Sequence, residues 1–254
     1  MRIIAVTSGK GGVGKTSLSA NIGIAMAQAK SRVVLFDADL QLANVDVALG
    51  LTPEFSLQHV VAEQQKLVDV LTEGPEGLKV VTGGSAISSL MNAGPKRMAT
   101  FFDQFDELAE QTDILIFDTG AGLDNRVLRF FAMSDELVLV TTPDPTAVTD
   151  AYATAKIAFR RKPDAKISVI VNMVRSEAEG QAVFQALSDI SWNFLKKHLD
   201  YLGSVHEDQR VSQAIRKRTP FVVSAPECQA SQDVQAIAKQ IRKAGITHDL
   251  QIAG

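Results

Sequence analysis

Thiols are nearly absent: the 254-residue chain has one cysteine, Cys228. An intramolecular disulfide framework is therefore excluded, as is a metal site built from several thiolates, and a reducing compartment is the natural setting. A global basic excess is missing too. The 26 Lys and Arg stand against 29 Asp and Glu, a net charge of −3, so the chain as a whole does not advertise nucleic acid, which leaves only a local patch to consider. No apolar run approaches the roughly 20 residues that cross a bilayer. The opening segment Met1–Ser8 carries one basic residue and a four-residue apolar stretch before it meets glycines, which is not the pattern of a signal peptide. There is no internal repeat, low-complexity tract or linker. The histidines His59, His198, His206 and His248 have no metal-ligand spacing and read as structural or surface residues. What is left is a soluble, cytoplasmic protein, or one that touches a membrane only peripherally.

What is present is ordinary globular composition, 46% hydrophobic and 22% charged. A chain of this size buries roughly three-quarters of its unfolded surface without disulfide or metal staples. Short apolar runs predict strands over Ile3–Thr7, Arg32–Phe36, Lys79–Thr82, Ile114–Phe117, Glu136–Thr141, Ile167–Asn172 and Tyr201–Val205. Continuous rather than alternating hydrophobicity points to burial on both faces, as in a parallel sheet. Helices are predicted over Ser17–Ala29, Met98–Glu110, Asn125–Met133, Ala147–Arg160, Glu179–Leu199 and Asp233–Ala244. The alternation predicts one α/β domain over residues 1–254, with a mostly parallel, doubly wound sheet. Residues Gly83–Gly94 read equally as a loop or a short helix.

The strongest local signal is Gly9-Lys10-Gly11-Gly12-Val13-Gly14-Lys15-Thr16, a G-x-x-x-x-G-K-[ST] phosphate loop placed between a predicted strand and a predicted helix. Its glycines let successive backbone N–H groups converge on phosphate oxygens, and the helix start adds the positive end of its dipole. Lys15 is expected to reach the β- and γ-phosphates and Thr16 to ligate Mg²⁺, with Ser17 completing the nucleotide-binding set. The apolar run Ile114–Phe117 ends in Asp118, which either holds Mg²⁺ through water or caps a helix. Asp37 and Asp39 follow the second strand, where carboxylates face the ligand crevice of a parallel sheet. Gly120-Ala121-Gly122 is small enough to approach a γ-phosphate. Asn172, at a strand end, offers donor and acceptor to an adenine edge, or is an ordinary turn residue. His206-Glu207-Asp208 is a weaker candidate for backbone contacts to the base.

Lys10 is a second cation in a loop that needs only Lys15. The Lys10–Thr16 form resembles the deviant Walker A loop of the MinD/ParA superfamily. The resemblance implies a P-loop NTPase using ATP/ADP and Mg²⁺, in which Lys10 crosses a nucleotide-sandwich homodimer to the partner's phosphates; its alternative is a solvated surface lysine. It also implies that Asp39 positions the attacking water and that Asp37 serves the Mg²⁺ water shell or Lys15. Four further stretches, Asp37–Asp46 with Leu49-Gly50-Leu51, Thr142–Tyr152, Val171–Ser176 with Glu179-Gly180, and Leu199–Gly203, are similar to the flagellar-number regulators among MinD-like ATPases. Gln41 stands where that family usually has Gly, and Gly120 where it has Ala. The N-terminal extension of many members is missing, which puts the partner contact it serves in doubt.

The resemblance implies an ATP-driven dimer with slow regulatory hydrolysis. It implies partners as well: an AAA+ flagellar transcription activator, a signal-recognition-type GTPase of the flagellar pole, C-ring proteins, and reversible contact with the inner membrane at the pole. For that contact the candidate is residues 233–254. There Val234, Ile237, Ala238, Ile241 and Ile246 share a helical face beside Lys239, Arg242 and Lys243. The other reading of that segment is a final core helix with a solvated basic side. A competing function is a partition-type ATPase that binds DNA nonspecifically through Arg210, Arg216, Lys217 and Arg218, opposed by nearby Glu207 and Asp208 and by the negative net charge. A reductase component sharing an iron–sulfur cluster would need two cysteines per chain, and Cys228 is alone.

Overall fold

Runs of Val, Ile, Leu and Phe uncut by proline satisfy their backbone in a ladder and bury both faces beneath helices. The computed structural model describes residues 1–39, 44–83, 86, 89, 94–122 and 127–252, without the side chains of residues 95 and 244–252. The strands are β1 (Arg2–Ser8), β2 (Val33–Ala38), β3 (Thr72–Glu73), β4 (Lys79–Val81), β5 (Ile114–Ala121), β6 (Glu136–Thr141), β7 (Lys166–Val174) and β8 (Asp200–His206). They form one eight-stranded sheet in the order β3-β4-β2-β5-β1-β6-β7-β8. All pairings are parallel except the short β3–β4 pair.

Two apolar layers hold the helices to the sheet. On one face Phe36, Phe117 and Phe130 are fully buried, with Phe36 and Phe117 edge-on at 5.4 Å between ring centroids. Helices Pro95–Glu110, Val127–Met133, Pro145–Arg161 and Glu177–Leu195 cover this side. The helices Lys15–Gln28 and Gln229–Ile252 cover the other, packing on each other and, for the latter, on β8. This is the doubly wound α/β arrangement expected from the alternation.

The departures have local causes. The strand carrying Asp118 runs on to Ala121, so Asp118 lies inside β5 and caps no helix. The helix expected to reach Leu199 stops at Leu195, because Lys196 turns left-handed at φ 56° and its N–H donates to the Trp192 carbonyl at 3.1 Å. Lysine gives no sequence signal for that conformation. Short helices over Val45–Leu49, Leu57–Val61, Gln209–Arg216 and Phe221–Ser224 were not anticipated. Val234, Ile237, Ala238 and Ile241 are all buried in the core, so this part of the C-terminal face is not available to a membrane surface. Ile246 has no described side chain. Gln41, Asn125 and most of Gly83–Gly94 lie outside the described residues. Among the described residues no helix is long and apolar enough to cross a membrane.

Candidate functional site

Three adjacent strands, β1, β2 and β5, end side by side, and Asp37 and Asp118 are register partners across β2 and β5. The segment from Gly9 to Gly14 leaves β1 and enters the helix at Lys15. Two of its glycines are demanded by geometry. A Cβ on Gly9 would lie 2.2 Å from the Asp150 carbonyl carbon, so the loop is pressed onto the helix Pro145–Arg161. Gly14 has φ 91°, and a Cβ there would lie 2.4 Å from Asn172 Nδ2. The loop is also tied from below: Ser8 Oγ donates to the Lys10 carbonyl at 2.7 Å.

Behind the loop the carboxylates and Lys15 form a buried, charged floor. Asp118 accepts from Ser19 Oγ at 2.9 Å and from Thr16. Burial pushes its carboxyl up to about 6 against those two hydrogen bonds. Asp37 is pushed up to about 7, first by burial and then by the Asp118 charge, although the N–H groups of Val45 (3.2 Å) and Asp39 (3.1 Å) oppose the shift. Burial pulls the Lys15 ammonium below its ordinary value, opposed by Asp118 and Asp39. Asp39 sits over the end of β5: a Cβ on Gly120 would lie 3.4 Å from its Oδ1, an ordinary contact. An alanine at position 120 would therefore fit, and the departure there is sterically neutral.

Lys10 points out of the loop toward its own chain. Its Nζ lies 3.0 Å from Asp144 Oδ2 and 2.7 Å from Thr146 Oγ1, and all three groups are exposed. The hydrogen bond from Lys10, then those from Thr146, hold the Asp144 carboxyl well below the usual range. A cavity of about 530 Å³ opens beside this pair, lined by Gly11, Gly12, Val13, Pro143, Met173 and Glu207 among others.

Comparisons over nearly the whole chain place the fold in a family. The family model described as ParA, the NUBPL iron-transfer P-loop NTPases, matches residues 1–242. The chain is 38% identical over 241 residues to the "Antiactivator FleN" of Pseudomonas aeruginosa, covering 95% of this chain and 86% of the relative. It belongs to the ParA/MinD family of P-loop ATPases. It is also 35% identical over 239 residues to the "Flagellum site-determining protein YlxH" of Helicobacter pylori, covering 93% of this chain and 80% of the relative. Among solved structures, the MinD of Pyrococcus horikoshii, complexed with Mg-ADP, superposes with a TM-score of 0.78 at 27% identity, covering 96% of this chain and 98% of that one.

As a ParA/MinD-family ATPase the chain hydrolyses ATP, and its donors suit magnesium. Two buried carboxylates and a threonine hydroxyl stand together with their charge only partly compensated. Among the described residues no group of three or more His, Cys, Asp or Glu makes a self-contained metal cage. That is the donor set of an ion that keeps waters and arrives with phosphates. Thr16 and Asp118, with Asp37 behind them, would hold it, and it would offset the charge developing on the transferred phosphoryl group. Nothing in the iron-transfer description finds a thiolate pair here, since Cys228 is alone and fully buried.

The expected site residues therefore converge, with some reassignment. Asn172 is buried and its Nδ2 donates to the Val13 carbonyl at 2.8 Å, so this amide shapes the phosphate loop. His206 is engaged with Asp233 through Nδ1 at 2.8 Å, and Asp208 caps the helix Gln209–Arg216; of the three, Glu207 lines the cavity. The basic cluster is partly neutralised, because Arg210 pairs with Asp208 at 2.8 Å and Glu227 at 3.4 Å. Ser19, Asp144 and Met173 were not anticipated as site residues. Ser19 is hidden in an alanine-rich helix, and Asp144 lies 134 residues from Lys10. Met173 holds φ 60° at a break in the β7–β8 register, a backbone state that longer side chains rarely adopt.

Proposed function

We propose that this ATPase is a dimerisation switch that regulates the number and placement of flagella, with slow hydrolysis as its timer. The observation that carries the switch is Lys10. The loop already has Lys15 for its own phosphates, and Lys10 rests instead on an exposed aspartate and threonine at the loop's mouth. Exposed ion pairs are weakly held. A second copy presenting bound triphosphate offers Lys10 a stronger anion, so closure exchanges Asp144 for the partner's phosphate. Each Lys10 then completes the other copy's site and stabilises the charge of the transition state, as an arginine finger does. Lys15 and the loop N–H groups of Gly11–Gly14 hold the nucleotide, with Gly9 and Ser17 at the two ends of the loop, while Asp39 orients the attacking water. Asn172 supports the loop and faces the base.

The flagellar assignment is supported by the two relatives' names. FleN is called an antiactivator and YlxH a flagellum site-determining protein, and the similarity spans nearly the whole chain. On this reading the ATP-bound homodimer works in the cytoplasm at the cell pole. Its partners are an AAA+ flagellar transcription activator, a signal-recognition-type GTPase and C-ring proteins, and it contacts the inner membrane reversibly.

Asp39→Ala tests the switch. Hydrolysis should fall while loading persists, and light scattering should report a long-lived dimer with ATP and monomers with ADP. Monomers with ATP would exclude the dimerisation switch and leave a plain ATPase.

A further inference from the structure

The strands β1 and β5 each carry a buried threonine near the phosphate loop, Thr7 and Thr119, 0% and 1% exposed. Valine has nearly the same branched shape, so packing alone does not call for the hydroxyls. A buried hydroxyl needs a partner, and both find theirs across the gap between the two strands.

The threonines sit at a break in the pairing. β1 and β5 are in register at Val6 and Asp118 and again at Ser8 and Ala121. Between these pairs β1 has one residue, Thr7, and β5 has two, Thr119 and Gly120. β5 therefore bulges by one residue directly after Asp118. A bulge interrupts the ladder that would otherwise fix the backbone, and here hydroxyls bridge the interruption. Thr119 Oγ1 donates to the Val6 carbonyl at 2.9 Å. Thr7 Oγ1 reaches the other way, to the Gly120 carbonyl at 3.2 Å, with the Gly122 carbonyl as a second acceptor at 3.4 Å. Thr119 Oγ1 also lies 3.3 Å from the Gly120 carbonyl, so both hydroxyls converge on one peptide group.

That peptide has two neighbours of functional weight. The first is Asp39, whose Oδ1 would lie 3.4 Å from a Cβ on Gly120. The second is the phosphate loop. Ser8, next to Thr7, accepts from the Gly122 N–H at 2.6 Å, and its Oγ donates to the Lys10 carbonyl at 2.7 Å. The pair Thr7-Ser8 thus ties the bulged end of β5 to the loop that carries Lys10. The grip is on backbone atoms of Gly120 and Gly122, so it does not depend on a side chain at position 120.

We propose that Thr7 is a positioning residue for hydrolysis: through the Gly120 carbonyl its hydroxyl fixes the bulge of β5 and, with it, the surface against which Asp39 stands. The inference rests on the reading of Asp39 as the group that orients the attacking water. Displacing such a group by a fraction of an ångström slows the chemical step and leaves nucleotide binding to the loop and Lys15.

Thr7→Val keeps the branched shape and removes the donor. It should lower kcat about tenfold, the scale of one buried hydrogen bond lost, while KM for ATP and Kd for Mg-ADP stay within about twofold. Thr7→Ser keeps the donor and should hydrolyse ATP at close to the wild-type rate. Hydrogen exchange without nucleotide reports the bulge independently of turnover: the amides of residues 119–122 should exchange faster in Thr7→Val and at the wild-type rate in Thr7→Ser. In single turnovers, adding Thr7→Val to Asp39→Ala should cause no further loss, because the hydroxyl acts through Asp39. Four results would each overturn the inference while the role of Asp39 stands: an unchanged kcat in Thr7→Val, a tenfold loss of its Mg-ADP affinity, a Thr7→Ser as slow as Thr7→Val, or a further tenfold loss on the Asp39→Ala background. Wild-type hydrolysis by Asp39→Ala would overturn that role and this inference together.

Discussion

Replacing Asp118 with asparagine should strengthen the nucleotide-free fold at alkaline pH while removing its function. Asp118 is fully buried, and its carboxyl is raised from 3.8 to about 6 by that burial. A raised carboxyl means that the native state binds a proton more tightly than the unfolded chain does, so stability falls as pH rises from about 4 through about 6. At 1.36 kcal/mol per pH unit, the ionised Asp118 costs the native state roughly 3 kcal/mol at pH 8 and roughly half of that at pH 5. The figure is an upper bound for the variant's gain, because an amide replaces one carboxylate oxygen facing Ser19 Oγ and Thr16 with a donor. Asp37, raised to about 7 in part by the Asp118 charge, should relax in the same direction. The assay is urea unfolding of wild type and Asp118→Asn at pH 5 and pH 8, without nucleotide. The variant should gain more at pH 8 than at pH 5, and Mg-ADP should stabilise only the wild type. An equal destabilisation at both pH values would refute the reasoning, because it would mean that the buried carboxylate is not under electrostatic strain.

Gly14→Ala should weaken nucleotide binding at least about a hundredfold in a titration, since the new Cβ meets Asn172 Nδ2 at 2.4 Å in a backbone with φ 91°. Gly120→Ala, whose Cβ meets Asp39 Oδ1 at 3.4 Å, should leave hydrolysis within about twofold in the same preparation. Asp144→Ala removes the resting partner of Lys10, so dimerisation with an ATP analogue should begin at a lower protein concentration by analytical ultracentrifugation, while the unfolding midpoint falls by a few degrees because Asp144 also caps the helix Pro145–Arg161 through the Thr146 N–H.

The features legible in the sequence are those whose cause is local. The phosphate loop shows itself because its glycines, the strand before it and the helix after it are contiguous. The parallel sheet shows itself because Ile114–Phe117 and Glu136–Thr141 are apolar without alternation. Most features that stayed hidden in the site depend on the order of strands. Asp37 meets Asp118 only because β2 and β5 are neighbours, a pairing no spacing reveals. Lys10 meets Asp144 across 134 residues for the same reason, although the Thr142–Tyr152 stretch had already drawn notice as a family mark. Two-residue β3 is too short to carry a pattern, and the end of the helix at Leu195 rests on a left-handed lysine. The apolar face of the C-terminal helix has the same spacing whether it meets lipid or protein; the contact with Lys15–Gln28 decides it.

The claim on which the switch depends is that Lys10 acts on the neighbouring copy's nucleotide, and mixing two inactive variants tests it most directly. Lys10→Ala retains Asp39, and Asp39→Ala retains Lys10. In a mixed dimer one of the two sites regains both groups, its own Asp39 and the partner copy's Lys10. An equimolar mixture combined as monomers before ATP is added should therefore recover about a quarter of the wild-type ATPase rate when chains pair at random about a two-fold axis. A mixture no faster than the mean of the two variants measured alone would place Lys10 in its own site and contradict the account.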